Sequence, residues 1–166
     1  DKDLTAWQVL GVAIRSEIDA AAFYTRLQGR VKNVLLVQKL KFLALEEDHH
    51  KRILERLLGQ KYPDKPTDVP ESSLMPPIGV SLPAEPGVPA LFEAALKAEE
   101  TAEAYYNEAA ERIEDEAGRR ILAYLGRVER SHQAMIRAEL DLIVRFPDYY
   151  NVEDFHIAQD LFHVGP

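Results

Sequence analysis

Proline placement constrains this chain more than any other feature of its sequence. Eight of its ten prolines fall between positions 63 and 89, while residues 1–62 and 90–146 hold none. Proline removes an i→i−4 hydrogen bond and clashes with the preceding turn, so the two free tracts can be helical and the stretch between them cannot. Within each free tract apolar residues recur at intervals of three and four, the period of an amphipathic helix. The pattern predicts helices over about 4–28, closed by Gly29, and about 32–58, closed by Gly59. A third runs from near Pro89 to about 114, and a fourth over roughly 117–145, stopping before Pro147. Short connections make the first and second helices antiparallel neighbours, and likewise the third and fourth. The proline-rich stretch is long enough to run the length of a bundle. The expectation is an all-α four-helix bundle over 1–146, two helical hairpins joined by a crossover at about 59–88. Residues 147–166 form a tail with room for one short helix.

Composition narrows the chemistry. Twenty Lys and Arg against 28 Asp and Glu give a net charge of −8, which argues against a nucleic acid or an anionic membrane as partner. With no cysteine, disulfides, thiol catalysis and cysteine-ligated zinc or iron–sulfur centres are excluded within these residues. No apolar run reaches the roughly 20 residues of a membrane span. The opening DKDLTAWQVL lacks the basic-then-apolar order of a signal peptide, so a cytoplasmic location is expected.

The apolar seams hold the chemical signal. They read Trp7, Leu10, Ile14, Glu17, Ala21, Tyr24 in the first helix and Leu36, Leu40, Leu43, Glu47, His50, Leu54, Leu57 in the second. The third gives Phe92, Ala95, Glu99, Ala102, Tyr106, Ala109, Ile113, and the fourth Leu122, Leu125, Glu129, His132, Ile136, Ile143. Each seam is interrupted by a Glu near its middle, and the second and fourth add a His one turn later. Four carboxylates in one core are prohibitive unless positive charge sits among them, and two divalent cations neutralise them. Four Glu and two His suit iron or manganese. An i, i+3 pair puts both side chains on one helix face, so Glu47/His50 and Glu129/His132 can each grip an ion. This is the donor arrangement of di-iron carboxylate bundles.

The spacings repeat. Glu17 to Glu47 and Glu99 to Glu129 are both 30 residues, and an offset of 82 carries Glu17, Tyr24, Glu47 and His50 onto Glu99, Tyr106, Glu129 and His132. Such a repeat suggests an internal duplication with a pseudo-twofold site. Two competing Glu-x-x-His pairs, Glu46/His49 and Glu153/His156, have no carboxylate 30 residues earlier, where Ser16 and Ala123 stand instead. Tyr24 and Tyr106 are read as packing residues whose hydroxyls reach a ligating carboxylate. Trp7 is read as core, Glu103 as solvated or supporting rather than a ligand, and His156 and His163 as surface or interface residues. The acidic run ERIEDEAG is read as the exposed turn between the third and fourth helices.

The segments SEIDAAAFY, LEEDHHKRIL, AEETAEAYY and VERSHQAMI, one per helix, resemble the rubrerythrin branch of the ferritin-like superfamily over most of residues 4–145. The resemblance implies a ferritin-like bundle in which Glu17, Glu47, His50, Glu99, Glu129 and His132 ligate two irons, with Glu47 and Glu129 bridging and Tyr24 and Tyr106 beside the site. It implies an oxidoreductase of oxidative-stress defence that reduces hydrogen peroxide or dioxygen. Classical members carry a cysteine-ligated rubredoxin domain; without cysteines, electrons are expected from an external donor, a rubredoxin-like protein or a reductase. Ala102 stands where the family places an additional Glu, and the plain four-Glu, two-His set resembles bacterioferritin as much. A ferroxidase with iron storage is therefore the alternative function. A third is a metal-stabilised bundle that binds partners through the tail aromatics Tyr149, Tyr150, Phe155 and Phe162. Asp48 occupies the place of bacterioferritin's haem-binding Met, so no haem is expected. Ferritin-like bundles usually associate, and a homodimer is expected.

Overall fold

The computed structural model describes residues 4–66, 69–71 and 87–147. Four helices occupy them: α1 Ala6–Gln28, α2 Val34–Lys61, α3 Val88–Arg112 and α4 Glu116–Arg145. The interior of the crossover and the tail, with Glu153, His156, His163 and the four tail aromatics, lie outside the described residues.

Local chemistry explains where the helices begin and end, and corrects several expected boundaries. Thr5 precedes α1, and its N–H donates to Gln8 Oε1 at 3.0 Å. Gly29 ends α1 as expected, its N–H returning to the Arg26 carbonyl. The second helix starts two residues later than expected, because the buried Asn33 caps it: Oδ1 accepts the Leu36 N–H at 3.1 Å. It also runs through Gly59 to Lys61. Glycine inside a helix costs only about 1 kcal/mol relative to alanine, and Leu57 and Leu58 just before it are buried and hold the turn in place. Pro89 lies in the first turn of α3, where its missing N–H is harmless. Asp115 caps α4, accepting the Gly118 N–H at 2.6 Å, and also takes the Lys61 ammonium from the end of α2. The acidic connector before it is not wholly exposed, since Ile113 is buried.

The hairpins α1/α2 and α3/α4 pack along their lengths, and α1 then lies beside α3 and α2 beside α4. Tyr24 of α1 reaches Glu99 of α3 while Tyr106 of α3 reaches Glu17 of α1, so these two helices are antiparallel. At the outer end of the second pair, the Lys39 ammonium on α2 donates to the buried Glu139 carboxylate on α4.

The core is two apolar clusters with a polar layer between them. One gathers Val9, Leu10, Ile14, Leu54, Leu57, Leu122 and Leu125, with Trp7, Tyr62 and Val69 packed against it. The other gathers Phe23, Leu27, Leu36, Leu40, Leu43, Phe92 and Ile136. Along each helix the Glu of the seam falls between the two. Gly126 marks a close approach of α4 to α3, where a Cβ would stand 2.8 Å from Asn107 Oδ1.

The cap at Asn33 gives a direct test of this packing. Asn33→Ala removes the acceptor for the Leu36 N–H, and the expected loss is about 1–2 kcal/mol, with Asn33→Ser recovering most of it. Urea unfolding of the three proteins checks this through the midpoint at constant slope.

Candidate metal centre

The polar layer is assembled by helix periodicity. Glu17 comes from α1, Glu47 and His50 from α2, Glu99 from α3, and Glu129 and His132 from α4. All six are at most 3% exposed. On α2 and α4 the three-residue spacing brings each His to its own Glu: His50 Nδ1 lies 3.1 Å from Glu47 Oε2, and His132 Nδ1 lies 3.1 Å from Glu129 Oε2.

The hairpins then exchange contacts. His50 Nδ1 is 3.5 Å from Glu17 Oε2 and 3.4 Å from Glu129 Oε1 across the bundle. His132 Nδ1 is 3.5 Å from Glu99 Oε2 and 3.3 Å from Glu47 Oε1. The two imidazoles stack, with centroids 5.6 Å apart and planes 17° from parallel. Two sets of side chains thus converge within 4.8 Å, Glu17, Glu47, His50 and Glu129 on one side and Glu47, Glu99, Glu129 and His132 on the other. Glu47 and Glu129 belong to both sets.

Electrostatics show what the layer lacks. Burial, reinforced by the charges of Glu47 and Glu129, pushes the Glu17 carboxyl well above its ordinary range. Burial also raises Glu99, to about 7 despite the opposing pull of His132. Burial disfavours a charged His50, yet the carboxylates of Glu129, Glu17 and Glu47 outweigh it and lift the ring to about 12. His132 is raised in the same way by Glu129, Glu47 and Glu99. Glu129 is lowered: burial and the charge of Glu47 act against this, and its bonds to His132 and His50 prevail. The raised imidazoles are thus the source of positive charge among the carboxylates. Two buried oxygens, Glu47 Oε1 and Glu129 Oε1, still accept no hydrogen bond. An unsatisfied buried acceptor costs about 1–3 kcal/mol, and these two belong to the carboxylates shared by both sets. A pair of hard-to-borderline cations satisfies them, and carboxylate oxygens with imidazole nitrogens are donors suited to iron or manganese. The residues fit two such ions.

The surroundings hold the carboxylates in place. The Tyr24 hydroxyl donates to Glu99 Oε1 and the Tyr106 hydroxyl to Glu17 Oε1, so each α1–α3 carboxylate is anchored by the tyrosine of the opposite helix. Burial, then the charges of Glu99 and Glu47, raises the Tyr24 hydroxyl well above its usual value and keeps it a donor. Glu103 is drawn away from the layer: Arg130 pairs with it, holding its carboxyl low, and Gln133 donates to its Oε2 at 2.7 Å. Sequence reasoning missed Gln133, which is buried and also donates to the Glu99 carbonyl at 3.3 Å. It also set aside Glu46, which the structure places within 4.8 Å of ring nitrogens of both His50 and His132. His49, its partner in that discarded register, is exposed.

Metal removal gives a signed prediction. Folded Glu99 titrates near 7, against about 4.3 for a free Glu. Its stabilising contribution to the metal-free chain is therefore complete below the lower value and lost as pH rises through the upper one, and the raised histidines act in the same direction. Bound cations replace those protons. The gap in Tm between Mn(II)-loaded and chelated protein should be larger near pH 8 than near pH 5.5; an equal gap contradicts this assignment of charge.

Comparison with known proteins agrees with this architecture. The sequence model of the rubrerythrin family matches residues 8–140, a range that holds all six residues of the layer. The solved structure of a hypothetical protein from Pyrococcus furiosus is similar with a TM-score of 0.76 and 32% identity, over 87% of this chain and 93% of that one. No curated protein matches the chain. Among the described residues no helix is long and apolar enough to cross a membrane. A four-helix bundle of ferritin-like fold, matched by the family model along most of its length, makes the chain a member of the rubrerythrin family.

Proposed function

We propose that this chain is an oxidoreductase that holds two iron ions in its polar layer and reduces hydrogen peroxide, or dioxygen, to water. One observation carries the reading: two convergent side-chain sets share Glu47 and Glu129, and each shared carboxylate keeps a buried oxygen without a hydrogen bond. Glu17 and His50 would complete one ion's ligands and Glu99 and His132 the other's, with Glu47 and Glu129 spanning both. Manganese suits the same donors. Two ferrous ions held there would supply one electron each, the two electrons that, with two protons, reduce hydrogen peroxide to two waters.

The protein's own groups set the conditions. The shared carboxylates would hold both ions, and the apolar clusters on either side exclude bulk water from the layer. The Tyr24 and Tyr106 hydroxyls fix the orientation of Glu99 and Glu17. Electrons would come from a donor outside these residues, which hold no cysteine. A homodimer is the proposed assembly, supported by large apolar side chains exposed on α2 at Leu35, Phe42 and Leu45 and on α4 at Tyr124 and Val144.

Ala102 favours a second reading. It packs against an apolar cluster, so no fifth carboxylate enters the layer from that position of α3, and the remaining set equally suits ferroxidase action. Anaerobic Fe(II) loading followed by mixing with either oxidant separates the two. Faster oxidation by peroxide supports the peroxidase; faster oxidation by dioxygen, with iron accumulating beyond two per chain in a multi-subunit assembly, replaces it with the ferroxidase.

Two variants test the assignments. Glu47→Ala should abolish both iron occupancy and peroxide turnover, because it deprives both sets of a shared carboxylate. Tyr24→Phe should still bind two ions per chain, with affinity lower by about tenfold through the loosened Glu99; isothermal titration with Mn(II) reads the difference.

A further inference from the structure

Glu46 stands one residue before the α2 carboxylate that both sets share. It is half-buried, and a carboxylate oxygen lies within 4.8 Å of a ring nitrogen of His50 and one of His132, which are as close to each other. It belongs to neither carboxylate set. Both histidines already turn Nδ1 towards those sets, at 3.1 Å from Glu47 and Glu129 respectively. The opposite edge of each ring carries Nε2, and because a nitrogen of each of the two stacked rings lies near the same Glu46 carboxylate, one acceptor can serve both.

An imidazole that gives its Nδ1 lone pair to a cation carries its proton on Nε2, and that N–H needs an acceptor. Bulk solvent does not supply one here, since His50 and His132 are 1% and 2% exposed. We propose that Glu46 is a positioning residue for both: its carboxylate accepts the two Nε2–H groups, with a single water spanning any separation beyond direct hydrogen-bond reach. That contact fixes the tautomer in which both Nδ1 atoms are free to ligate. This inference rests on the two-ion reading above. The internal repeat makes it specific to one side, because the 82-residue offset carries Glu47 to Glu129 and His50 to His132 but carries Glu46 to Val128. One acidic residue on α2 then orients histidines from both halves.

Zn(II), a diamagnetic ion taken up by the same ligand types, is the probe. In the 15N-labelled, Zn(II)-loaded protein, the Nε2–H resonances of His50 and His132 should be protected from solvent exchange. Glu46→Val, which installs the side chain found at the repeat-related position, should expose both resonances to exchange and weaken Zn(II) binding by about 10- to 100-fold. Glu46→Gln keeps an acceptor oxygen and should restore most of both, and it remains a usable variant should Glu46→Val fold poorly. Val128→Ala should change neither. Protected resonances in Glu46→Val, or affinity within about twofold of the parent, overturn the assignment while leaving the two-ion reading intact. A parent protein that binds no divalent ion overturns both.

Discussion

Four carboxylates buried between two apolar clusters are the constraint on which the rest of this bundle depends. Each alone would be driven to protonate or to leave the core. Together they raise the histidines, push the Glu17 and Glu99 carboxyls up, and leave one oxygen each on Glu47 and Glu129 without a hydrogen bond. The arrangement makes sense as a frame waiting for positive charge. Its cost is contained by position: the apolar clusters lie on both sides of the layer, so the helices remain clasped at each end by Leu10, Leu54 and Leu122 on one side and Leu36, Leu40 and Phe92 on the other.

Much of this was legible in the sequence because two periodicities coincide. A Glu that interrupts an apolar seam at helical spacing marks a buried polar position, and the offset of 82 residues ties the interruptions into one layer. Proline placement likewise separates helix from crossover. Less was legible at helix ends, where single side chains decide. Gly59 reads as a stop, but the buried turn before it carries the helix on, and Asn33 acts as a cap only because its side chain folds back onto the Leu36 N–H.

Contacts between different helices were the least legible. Gln133 and Glu139 have the polar identity of surface residues, and their burial follows from partners 30 and 100 positions away, Glu103 and Lys39. No local pattern encodes such pairs. Glu46 is the instructive case: the repeat that selects Glu47 also rejects Glu46, because a residue serving both halves at once has no counterpart in the other half. Internal symmetry finds the members of a duplicated set and hides whatever lies across its axis.

The sharing of these side chains between hairpins has a consequence for the chain as a polymer. Neither hairpin owns a complete set: the side holding Glu17, Glu47 and His50 borrows Glu129, and the side holding Glu99, Glu129 and His132 borrows Glu47. An ion seated in either set therefore ties together segments separated by a long, proline-rich connection, as a covalent cross-link would. Because each set is complete only when the two halves are docked, such an ion would add its binding energy to the docked state alone. Occupancy and the docking of the two halves would thus be coupled, each favouring the other.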